Sequence, residues 1–104
     1  MQSHTPSEVE LRALVTSIGE QTLLYLGKDN LTAARVTLDP KIEAATVEVA
    51  LEESTPANRQ RAFTKFIEVI DLFDDEVDLM LRIADHESLQ SDMAESRKLA
   101  HCAL

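Results

Sequence analysis

The chain has no tryptophan, one cysteine, two glycines and three prolines among its 104 residues. Each scarcity excludes something. The single cysteine, Cys102, rules out an internal disulfide, so nothing calls for an oxidising compartment. The two glycines, Gly19 and Gly27, are too few for a phosphate-cradling loop, and no Gly-x-Ser-x-Gly or Cys-x-x-Cys occurs. No apolar run approaches the ~20 residues needed to cross a bilayer, and residues 1–10 lack the basic start and apolar stretch of a signal peptide. The cytoplasm is the expected location. Basic residues are scarce too: ten stand against nineteen acids, for a net charge of −9. That charge repels phosphate backbones and anionic lipid surfaces, so neither nucleic acid nor membrane is an expected partner. It suits a basic protein partner.

What remains is enough to fold. Hydrophobic residues make up 44% of the chain, a length that points to one domain. The core should be aliphatic, because Tyr25, Phe63, Phe66 and Phe73 are the only aromatics.

Residues 1–6 read as a flexible arm, and 7–84 as a single α+β domain. In "SEVELRALVTSIGEQTLLYLG", Ser7 stands three residues before Glu10, the spacing of a capping box. Leu11, Leu14, Val15, Ile18, Thr22 and Tyr25 recur at helical spacing, and Gly27 supplies a stop. The period then falls to two. Ala34, Val36 and Leu38 alternate with Arg35, Thr37 and Asp39; Val47, Val49 and Leu51 alternate with Glu48, Ala50 and Glu52. Asp39-Pro40 marks the turn, so these runs read as a hairpin with its loop within 39–45. "STPANRQRAFTKFIEVIDLFDD" reads as a second helix, with Thr55 at the cap and Pro56 at the first helical position. Its expected apolar stripe is Phe63, Phe66, Ile67, Ile70 and Phe73. Val77, Leu79, Leu81 and Ile83 then alternate as a third strand, and 85–104 reads as a helical tail.

The expected architecture is a small three-stranded antiparallel or mixed sheet with helices packed on one face, in the order α-β-β-α-β-α. A right-handed strand–helix–strand crossover makes the last strand parallel to the one before the helix. Placed beside the first hairpin strand, it would complete the sheet. Bacterial-type KH-like RNA-binding domains are similar in element order, but this chain has no Gly-x-x-Gly loop and its charge opposes RNA.

The densest chemistry lies in "DLFDDEVDLML", where Asp71, Asp74, Asp75, Glu76 and Asp78 fall within eight positions. A calcium EF-hand loop needs oxygen ligands at positions 1, 3 and 5 and glycine at 6. Counting from Asp74 puts Leu79 at position 6; counting from Asp71 puts Phe73 at position 3. No metal or other cofactor is expected. Paired catalytic carboxylates need one partner desolvated, and an exposed helix–strand joint offers no such pocket. His86 has no second histidine at i+4, and the adjacent His101 and Cys102 have no positioned base. An enzyme is not expected.

One feature is unusual. The second helix carries Arg59, Arg61 and Lys65 in its first half and Glu68, Asp71, Asp74, Asp75 and Glu76 at and beyond its end. The helix macrodipole favours the reverse, by roughly 0.3–1 kcal/mol per well-placed charge. The five carboxylates, Asp71, Asp74, Asp75, Glu76 and Asp78, are therefore the candidate partner-binding residues. The reading is a non-catalytic protein-binding or regulatory domain, of adaptor, immunity-inhibitor or secretion-chaperone type, whose acidic surface engages a basic protein. Two alternatives stand beside it: a small enzyme or ligand-binding domain with its pocket at an oligomer interface, and a structural subunit of a larger complex. An unpaired third strand would also favour a homodimer.

Overall fold

The computed structural model describes residues 8–84 and 99–102. The fold is α+β. Helix α1 spans Glu8–Leu26, a 3-10 turn spans Lys28–Asn30, and strands β1 (Leu31–Asp39) and β2 (Ala44–Leu51) form the hairpin. Helix α2 (Pro56–Leu72), strand β3 (Asp78–Ile83) and strand β4 (Leu99–Cys102) follow.

Local chemistry explains the boundaries. Gly27 ends α1 at φ 89°, a conformation that side chains with a Cβ rarely adopt. Asp39 accepts a hydrogen bond from the Lys41 N–H at 3.1 Å and opens the four-residue turn 40–43. Thr55 caps α2 by accepting from the Asn58 N–H at 3.1 Å, with Pro56 in the first turn. The proposed cap Ser7 and the arm at 1–6 lie outside the described residues.

The sheet has the order β3-β2-β1-β4. β1 and β2 are antiparallel, with Arg35 opposite Glu48 and Val36 opposite Val47. β3 runs parallel to β2, as the crossover through α2 requires. Two expectations need correction. The third strand lies beside β2, not β1, because the second edge of β1 is taken by β4. Leu99–Cys102 is therefore a strand, where a helical tail over 85–104 was the expectation, and among the described residues the sheet has four strands rather than three. Residues 85–98, His86 among them, lie outside the described residues.

Both helices pack on one face. Val15, Ile18 and Leu26 of α1 meet Val36, Leu38, Val47 and Val49 of the sheet and Phe66 and Val69 of α2 in one apolar core. Thr22, fully buried on α1, donates its hydroxyl to the Ile18 carbonyl at 2.8 Å and so leaves no polar group unmet. The stripe of α2 is rotated from the expected one. Ala62, Phe66, Val69 and Phe73 are buried, whereas Phe63 and Ile67 are 48% and 56% exposed. Phe66, Val69 and Phe73 keep the 3–4 residue spacing that one buried face demands; Phe63 and Ile67 sit one flank further round.

Candidate functional site

The acidic segment joins α2 to β3 through a turn held by its apolar residues. Phe73 and Val77 are buried in the core. The Phe73 carbonyl accepts from the N–H groups of Glu76 and Val77, both at 3.0 Å, while the Phe73 N–H donates to Ile70 O at 3.2 Å. With both ends pinned, the three residues between them have nowhere to point but outward. Asp74, Asp75 and Glu76 are exposed, as is Asp71 on the last turn of α2. Asp78 is exposed as well, but it is the first residue of β3, on the sheet face away from the helices. The structure thus brings four of the five candidate carboxylates to one corner and sets the fifth on a different surface.

That second surface carries a cluster the sequence reading missed. On the face opposite the helices, Glu48 of β2 lies between Arg35 of β1 and Arg82 of β3. Glu48 Oε1 accepts from Arg35 Nε, at 3.2 Å, and from Arg35 Nη2. Its other oxygen, Oε2, accepts from Arg82 Nη1 at 3.2 Å. The Arg35 and Glu48 side chains are only 8% and 7% exposed, while Arg82 is 63% exposed. Each carboxylate oxygen is used, so the buried charge is compensated on both sides. Beside this ladder, Ala33, Ala50 and Ala84 form a small second apolar cluster. One signal was available. A hairpin closing with four turn residues at 40–43 pairs 39 with 44, and hence 35 with 48; the third member needed the β2–β3 register.

A cleft of about 400 Å³ opens at the far end of the sheet, where α1 ends and α2 begins. Leu26, Leu31, Leu51 and Ala62 line it together with Asp29, Glu52, Glu53, Arg61 and Lys65. Its charged groups are of both signs and exposed, so they do not converge on one ligand charge. Among the described residues no group of three or more His, Cys, Asp or Glu is placed to hold a metal ion. His101 and Cys102 belong to β4. No helix among the described residues is long and apolar enough to cross a membrane. Comparison of the chain with protein-family models, curated proteins and solved structures finds no match.

Proposed function

We propose that the chain is a cytoplasmic, non-catalytic protein-binding domain whose acidic corner engages a basic protein partner. The observation that carries this reading is the pinned turn. Phe73 and Val77 anchor it in the core, so Asp74, Asp75 and Glu76 are presented from a rigid base, beside Asp71. Rigid presentation lowers the ordering cost of recognition, and a one-sign patch steers an oppositely charged partner during encounter. The charges also sit at the negative end of the α2 macrodipole, where the fold gains nothing from them.

The test compares affinity purification with the tagged wild type and with Asp74→Asn/Asp75→Asn/Glu76→Gln. The reading expects a basic protein that the wild type retains at low salt and releases as ionic strength rises. The triple variant should capture much less of it, through slower association. The same proteins bound equally by both forms would reject the reading.

A further inference from the structure

Strand β3 closes one side of the sheet, and among the described residues nothing pairs with its outer edge. The Asp78 N–H donates to Glu43 O at 3.0 Å and the Ala84 N–H to Val49 O at 2.8 Å. Even-numbered residues therefore turn their backbone groups toward β2, and Leu79, Leu81 and Ile83 turn theirs outward. Natural edges are guarded by proline, by charged side chains, lysine above all, or by a bulge. Asp78–Ile83 has no proline or lysine, its pairing with β2 runs without a register shift, and its two charges, Asp78 and Arg82, are opposite in sign.

Apolar side chains bracket this edge on both sides of the sheet. Arg61 and Lys65 line the cleft at the end of α1, and Phe63 and Ile67 stand ~200° around the helix from them, so they face away from α1. Because α1 packs on β1 and β4 while α2 packs on β3, that flank overhangs the free edge. Below the sheet, Met80 is 64% exposed.

We infer that the β3 edge pairs with the same edge of a second copy of this chain, antiparallel about a two-fold axis at Met80. A two-fold contact must be self-complementary, and the strand meets that condition in one register. Only odd-numbered residues offer outward backbone groups, so odd must pair with odd. That leaves two registers in which five of the six strand residues overlap, one centred on Met80 and one on Leu81. Centred on Leu81, Asp78 faces Ala84 of the second copy and Arg82 faces Met80, so neither stands opposite a charge across the seam. Centred on Met80, Leu79 exchanges hydrogen bonds with Leu81, Met80 meets Met80, and Asp78 stands opposite Arg82 twice. These Asp–Arg positions are non-hydrogen-bonded pairs, where side chains approach closest. Arg82 keeps Glu48 at 3.2 Å and has further N–H donors for the incoming carboxylate. The two sheets join into one, and the α2 helices meet across the axis over Phe63 and Ile67. This inference goes beyond the acidic-corner reading and is independent of it, since it uses Asp78 and none of the other four acids.

The test is a charge swap followed by light scattering. The wild type should have a mass of twice 11.6 kDa. Asp78→Arg opposes arginine to arginine, Arg82→Asp opposes acid to acid, and each should weaken the dimer by on the order of tenfold or more. Mixed, the two variants should form a one-to-one heterodimer, because each new pair is then opposite in sign. Arg82→Asp also places an acid beside Glu48, so its fold is checked by circular dichroism. Met80→Lys, at an exposed position, supplies a second variant that should dissociate the dimer without touching that ladder. A wild type that stays at 11.6 kDa at high concentration overturns the inference. So does a dimer whose dissociation constant Asp78→Arg or Met80→Lys leaves unchanged, or a mixture of folded charge-swap variants that stays monomeric.

Discussion

Replacing Glu48 by Gln keeps the side chain's size and removes its charge from between two guanidinium groups. The cost depends on what each arginine can do next. Arg82 is 63% exposed and regains water; Arg35, at 8%, does not. A charge pair ~4 Å apart attracts by about 4 kcal/mol at an effective dielectric of ~20, before desolvation is subtracted. Removing one member of a buried pair typically costs about 3–5 kcal/mol, because the other charge stays buried without it. Arg35 makes further contact beyond Glu48, which places the expected loss near the lower end. Within one chain Arg82→Gln breaks only the exposed limb and should cost about 0.2–1 kcal/mol, measured at a concentration low enough that pairing between copies does not contribute. Urea denaturation at one fixed protein concentration measures both, and an unchanged slope confirms that the unfolded reference is the same. Equal losses for the two variants, or a loss under about 1 kcal/mol for Glu48→Gln, would refute the argument that burial decides the value of this ladder.

Phe66→Ala should cost about 3–5 kcal/mol, since Phe66 is 1% exposed, while Ile67→Ala should cost far less; denaturant melts of the pair test the observed rotation of α2. Asp74→Asn/Asp75→Asn/Glu76→Gln should raise stability by roughly 0.3 kcal/mol or more per charge, as negative charge leaves the carboxyl end of α2. A loss on thermal melting would show that those carboxylates have structural partners. Gly27→Ala should destabilise by about 1–3 kcal/mol, because φ 89° strains any Cβ, and the new carbon would come 2.6 Å from Asn30 Nδ2. The displaced Asn30 amide would also lose its 3.0 Å bond to Leu26 O, so amide exchange at the end of α1 should accelerate with the melt.

The elements themselves were legible because their signals are local. Alternation at Val36–Leu38 and Val47–Leu51 needs only the two-residue period of a strand, and Thr55-Pro56 and Gly27 mark helix ends through their own backbone chemistry. The exposure of the acidic corner followed from its charge, although the pinning of its turn by Phe73 and Val77 did not. Face and neighbour were a different matter. Phe63 and Ile67 are as apolar as Phe66 and Val69, so hydrophobicity alone could not choose which flank of α2 meets the sheet; only the position of α1 decides that. Strand order likewise depended on which chain reaches the open side of β1, and that is β4, whose four residues are too short to announce a strand. The sequence by itself determined the α+β class, the parallel sense of β3 and the aliphatic core, because each follows from periodicity or from the handedness of a crossover. Tertiary structure alone decided that Arg82 joins Arg35 on the Glu48 carboxylate, and that β3 is an edge among the described residues. Both follow from the pairing of residues far apart in the chain, and no local propensity encodes such a register.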